Sequence, residues 1–116
     1  MPTLERNDRA AGPAVTGFAG KLIKVDGVAR AGGVILTPEA GFDWDGGDLE
    51  AAVIAPRPEF ILLGTGATLV RPAQDMVAAY EARGIGIEAM DTRAAARAWG
   101  VLRVEGRWIS AALQPL

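Results

Sequence analysis

The side chains that could do chemistry are few, and their types close off most of it. The 116-residue chain has no histidine and no cysteine. That removes thiolate nucleophiles, disulfides, zinc sites of the Cys/His kind and any histidine general base. Ser110 is the single serine, and it falls in a predicted strand with no base to activate it. Lys21 and Lys24 fall on opposite faces of one predicted strand and cannot act as a pair. Tyr80 lies on the apolar face of a predicted helix. Glu88 and Asp91 remain, and either would serve as a base only with a strongly raised pKa in a cleft. Asp43-Trp44-Asp45-Gly46-Gly47-Asp48 superficially resembles a calcium loop. It lacks evenly spaced ligands and a closing bidentate glutamate, so it reads as a turn followed by an N-cap. No metal and no cofactor is expected.

One turn is left as a binding candidate. Gly64-Thr65-Gly66 ends an apolar run and leads toward a helix, and backbone N–H groups in such turns can hold phosphate or carboxylate. The dinucleotide fingerprint needs a third glycine where Leu69 stands, and no Gly-Lys-Ser/Thr occurs for a phosphate loop. The plainer alternative is that the glycines only let the chain leave the sheet closely. Asp91 and Thr92 open the next helix and should lie beside this turn, at the edge where open α/β sheets bind ligands. They read either as ligand-crevice residues or simply as caps.

The elements that position these residues follow from pattern. Phe60-Ile61-Leu62-Leu63 is a short run without polar alternation, suited to a strand (59–63) buried on both faces. Met76, Val77 and Tyr80, with Ala73 a turn earlier, give one apolar helix face after Pro72, and Gly84 stands where a helix stop belongs. Ile85 to Ala89 reads as the next strand, so strand, helix and strand form a βαβ unit with parallel strands. Asp91-Thr92 begins a second helix carrying Ala95, Trp99 and Leu102 at i, i+4 and i+7. It continues through Gly100 to Glu105, with Gly106 as its stop; the rival reading ends it at Gly100 and makes 101–104 a strand. Trp108 to Leu113 is a last strand.

Upstream, Phe18 to Val25 reads as one strand, and Asp26-Gly27 as a type I′ hairpin turn into Val28-Ala29-Arg30. Val34-Ile35-Leu36 is a second buried run. Phe42 and Trp44 share a face of a short strand, and Asp48 caps a short helix over 49–55 that Pro56 ends. Residues 1–14 are a polar, proline-containing arm, and 15–116 form a single α/β domain.

Composition sets the outer limits. One domain of this size buries roughly 65% of its unfolded surface, and half of the residues are apolar. With 12 basic and 14 acidic residues spread along the chain, net charge is −2 and no basic stripe marks a nucleic-acid surface. No run approaches the ~20 apolar residues of a membrane span. The N-terminus lacks the features of a signal or transit peptide, so a cytoplasmic location is expected.

Three stretches taken together resemble a known family. They are Glu59 to Gly66, Gly84 to Thr92 with Ala94-Ala95-Ala96-Arg97, and Glu105-Gly106-Arg107 running into Ala111-Ala112-Leu113. The resemblance is to a bacterial family of unknown function whose mitochondrial relatives include respiratory complex I assembly factor 3, and it spans roughly residues 15–116. It implies a three-layer α/β fold around a mixed central sheet, and it carries no established catalytic residues. Where the family has Arg-Thr-Tyr-Asn, this chain has Arg97-Ala98-Trp99-Gly100.

The reading that results is a non-catalytic protein acting through protein partners, with respiratory-chain assembly implied by the resemblance and homo-oligomerisation left open. The expected contact surface is an apolar patch near Trp44, Trp99 and Trp108 with Arg107, since tryptophan and arginine dominate interface hot spots. The alternative is a small-ligand or anion site in the crevice between Gly64–Gly66 and Asp91–Thr92.

Overall fold

The run Ile61-Leu62-Leu63 is buried from both sides, and that requirement sets the layers. The computed structural model describes residues 12–116. Among them the strands are β1 (Val15–Ala19), β2 (Leu22–Val25), β3 (Val28–Ala29), β4 (Gly33–Leu36), β5 (Gly41–Trp44), β6 (Phe60–Gly64), β7 (Gly86–Met90) and β8 (Ser110–Leu113). Helix α1 (Gln74–Glu81) joins β6 to β7, and α2 (Thr92–Val104) joins β7 to β8. A single 3-10 turn, Glu50–Ala52, lies between β5 and β6.

Five strands make a mixed sheet in the order β5-β4-β8-β6-β7. β6 is parallel to both neighbours, with Leu62 opposite Glu88 on one side and Ala111 on the other. β4 runs antiparallel to β5 and β8. The expected βαβ unit is therefore present as β6-α1-β7. Alternate side chains go to opposite faces. Val34, Leu36, Leu62, Ala111 and Leu113 pack with Ala95 and Trp99 of α2 and with Ile23 and Val25 of a separate antiparallel sheet, β1-β2-β3. Ile35, Ile61, Leu63 and Ala112 pack with Tyr80 of α1, Ile85, Leu49 and Ala52. The result is three layers around a mixed sheet.

Several local expectations are corrected. The stretch 18–25 is not one strand: Gly20 and Lys21 form a two-residue turn, Gly20 at φ +60°, and Ala19 pairs with Leu22. Lys21 thus sits in a turn. The Asp26-Gly27 turn is as read, with φ of +51° and +84° and Val25 paired to Val28. The helix expected over 49–55 is only the 3-10 turn, begun where the Asp48 carboxylate accepts the Glu50 N–H at 2.9 Å. Helix α1 starts two residues after Pro72, with Ala73 in an extended conformation at its N-cap.

Helix α2 runs unbroken through Gly100 and stops at Gly106, φ +78°, so the strand alternative for 101–104 is excluded. Residues 1–11 of the expected arm lie outside the described residues. The arm's last residues are tied down: Pro13 O accepts the Trp99 indole N–H at 3.0 Å, and Ala14 N–H donates to Asp26 Oδ1 at 3.0 Å.

Candidate functional site

Strand β6 delivers Gly64 to the sheet edge beside the start of α2. A Cβ on Gly64 would stand 2.8 Å from Thr92 Oγ1 and 2.9 Å from Leu113 Cδ2, so only glycine fits this contact. Thr92 is fully buried. Its hydroxyl donates to Gln114 O at 2.8 Å and accepts the Gly66 N–H at 2.8 Å, while its own N–H donates to Gly66 O at 2.8 Å. Thr65 N–H donates to Met90 O at 2.9 Å, and Asp91 Oδ1 caps α2 by accepting the Ala94 N–H at 3.0 Å. The Gly66, Thr65 and Thr92 donors that an anion would need are thus spent within the fold. The Gly64–Thr92 crevice is a closed latch, which corrects the expected ligand crevice on that side.

The opening lies on the other face of the same turn. A cavity of about 550 Å³ is lined by Gly64, Thr65 and Leu63 of the β6 end, by Trp44, Gly46, Gly47 and Leu49 of the β5 loop, by Val70 to Ala73, and by Met76 and Gln114. The Trp44 indole N–H is held by Gly47 O at 3.3 Å and Asp48 O at 3.0 Å, which leaves its ring as apolar wall. Thr65 Oγ1 donates to Thr68 O and accepts the Val70 N–H, pinning the loop over 65–73 at its base. Arg71 is the one charged side chain on the lining, and it makes no ion pair among the described residues. The N-terminus of α1 reaches the same rim; its N-cap residue Ala73 offers no side-chain cap, and within the first turn Asp75 Oδ1 accepts the Met76 N–H at 2.9 Å. The arrangement suits an apolar body with one anionic or polar end.

Residues 15–114 match the model of a protein family described as of unknown function, DUF498/DUF598. The chain belongs to this family. An uncharacterized protein of Rhodobacter capsulatus is 34% identical over 115 residues, covering 90% of this chain and 93% of that protein. The crystal structure of a Bordetella parapertussis protein is similar at 32% identity with a TM-score of 0.76, covering 91% of this chain and 98% of that one. A Bordetella pertussis protein solved by NMR, described as a Mth938-like domain, shares the fold with a TM-score of 0.77 at 24% identity, over 99% of this chain and 91% of that one.

The remaining sequence candidates in this DUF498 chain are scattered. Glu88 is exposed on the edge strand β7. The tryptophans do not form one patch. Trp99 is 1% exposed in the core on the α2 side, and Trp44, 8% exposed, packs on the opposite face of the sheet. Trp108 is half-buried, its indole N–H on Pro56 O. Arg107 is engaged twice by Glu59, at 2.6 and 2.8 Å, and lies over the Phe60 ring. The Arg107 guanidinium, then the Trp108 N–H, hold the Glu59 carboxyl below its usual value.

The acidic run is spoken for as well. Asp43 pairs with Arg30 at 2.6 Å, Asp45 accepts the Gly47 N–H, and Asp48 starts the 3-10 turn. Ser110 is buried and donates to Ala52 O at 2.8 Å, which ties β8 to that turn.

One polar network escaped the sequence reading. Tyr80 OH accepts the Leu49 N–H at 2.9 Å and donates to Glu50 Oε2 at 2.8 Å, and Glu50 takes a two-pronged contact from Arg83. Burial first, then the Glu50 carboxylate, push the Tyr80 hydroxyl upward. Arg83 and then Tyr80 hold Glu50 below its ordinary 4.5. No spacing in the sequence joins residues thirty apart in this way.

Proposed function

We propose that this is a non-catalytic protein of the bacterial cytoplasm that works through protein contacts, and that its partner is an immature subunit of respiratory complex I. One observation carries the contact surface: Leu69 and Val70 stand 58% and 60% exposed, side by side, on a loop that is nonetheless held in place by Thr65. Single exposed aliphatics are ordinary, but two together on a fixed loop make an anchor whose ordering cost is already met. Arg71 follows directly, and arginine is favoured in interface hot spots.

Two further features support the reading. The cavity beside this loop has no Asp, Glu or Lys on its lining and so offers neither a general base nor an amine nucleophile. The partner class rests on the resemblance of the 59–66, 84–97 and 105–113 stretches to the complex I assembly factor group. Affinity capture from the cells that make the protein, run with the native chain and with Leu69→Asp and Val70→Asp, tests it. A complex I subunit should be recovered with the native chain only, and assembled complex I should fall in a deletion strain. No stable partner together with unchanged complex I would overturn the proposal.

A further inference from the structure

We propose that the cavity at the β6–β8 sheet edge binds a small amphipathic monocarboxylate, an apolar body carrying one carboxylate. Its volume of about 550 Å³ falls within the roughly 300–1,000 Å³ of small-molecule sites. The body would lie against the Trp44 ring, Leu49, Leu63 and Met76, with Val70 and Pro72 completing the apolar part of the wall. The Trp44 indole N–H is satisfied inside the protein, so that ring demands no polar partner from a ligand.

The polar groups select the sign of the ligand. Arg71 is the single charged lining group, and no carboxylate lines the cavity to neutralise it. The Gln114 side-chain amide makes no hydrogen bond among the described residues and lies over Gly46, where an added Cβ would meet its Nε2 at 2.8 Å. A guanidinium and a free amide as donors on an otherwise largely apolar lining match a ligand with a single carboxylate. A phosphate fits poorly: the glycine-turn donors that would cradle it are closed into the Thr92 latch. This inference does not rest on the protein-contact proposal, because the cavity is formed by this chain alone and is tested on the isolated protein; Val70 belongs to both surfaces, so a partner docked there would cover part of the cavity wall.

Titration of isotope-labelled full-length protein with octanoate and hydrocinnamate, followed by amide and indole N–H resonances, tests it. The neutral controls are octanamide and hydrocinnamide. Either acid should bind saturably and move the Trp44 indole, Gly46 and Gly47 signals, and its amide should bind roughly tenfold more weakly or worse. Arg71→Ala, at an exposed position, should erase that acid-over-amide preference while leaving the remaining spectrum folded. Ala73→Trp, at the exposed rim, should block both classes of probe. No saturable binding by either acid, equal affinity for acid and amide, or binding indifferent to both substitutions would overturn the proposal.

Discussion

Thr92 and Gly66 hold each other twice: the Thr92 hydroxyl accepts the Gly66 N–H, and the Thr92 N–H donates to Gly66 O, each at 2.8 Å. The pair fastens the turn after β6 to the first residue of α2. It converts what could have been an anion cradle into a structural joint, and it leaves the opposite face of the turn as the open side.

Thr92→Val keeps the shape of the side chain and removes its hydroxyl. Gly66 N–H would then be buried without a partner, and Gln114 O would lose its donor. A loss on the order of 2–3 kcal/mol is expected, whereas Thr92→Ser should recover most of it. Urea unfolding of the three proteins measures both differences.

Gly64→Ala drives a methyl group to 2.8 Å from Thr92 Oγ1, 2.9 Å from Leu113 Cδ2 and 3.0 Å from Thr92 Cα. All three belong to packed, buried positions that cannot swing aside. Overpacking of this kind costs roughly 1–3 kcal/mol, read as a lowered thermal midpoint. A midpoint equal to the native one would show that the joint is looser than described.

Trp99 and Trp108 should separate sharply. Trp99 fills the core beneath α2 and anchors Pro13, so Trp99→Ala should cost about 3–5 kcal/mol. Trp108 is half-buried and makes one indole hydrogen bond, to Pro56 O, so Trp108→Ala should cost clearly less. Equal losses would contradict the placement of Trp99 as the core residue of the two.

The pH dependence follows from Glu50 and Glu59. Both carboxyls are held below 4.5 in the folded chain, chiefly by Arg83 and Arg107 respectively. A depressed folded pKa means that the unfolded chain takes up the proton first. Each pair therefore adds stability above the ordinary glutamate value, and that stability is lost as pH falls through the lower folded one. Urea midpoints should decline below about pH 4.5. The decline should be shallower in Glu50→Gln and Glu59→Gln, and because both pairs are exposed, added salt should weaken the effect.

Much of the fold was legible because its signals are local. The unbroken run 60–63, the Asp26-Gly27 turn, and the i, i+4, i+7 series Ala95, Trp99, Leu102 each state their element within a few residues. The hairpin at Gly20-Lys21 was hidden for a physical reason. The apolar residues on either side of it alternate closely enough to be taken for one strand. Pairing Ala19 with Leu22 reverses the phase and sets Phe18 opposite Ile23 on one face, a change that only the pairing reveals. The 49–55 helix was overread because Asp48 supports a single turn as readily as a full helix.

Gly64 and Thr65, singled out in the sequence, lie on the cavity lining, but which side of their turn stays open depends on Thr92 reaching across to Gly66 and Gln114. The cavity walls come from segments around 44–49, 70–76 and 114 that only the tertiary fold assembles. The tryptophan patch failed for the same reason: Trp44 and Trp99 point to opposite faces of one sheet.

The protein-contact proposal is tested most directly by placing a photo-crosslinking amino acid at position 69 in living cells, with position 28 as control. Val28 is similarly exposed, at 63%, but lies on the separate small sheet. A discrete adduct with one partner at position 69, absent at position 28, is the expected result. No adduct at 69, or the same set of adducts at both positions, would contradict a docking surface at Leu69 and Val70.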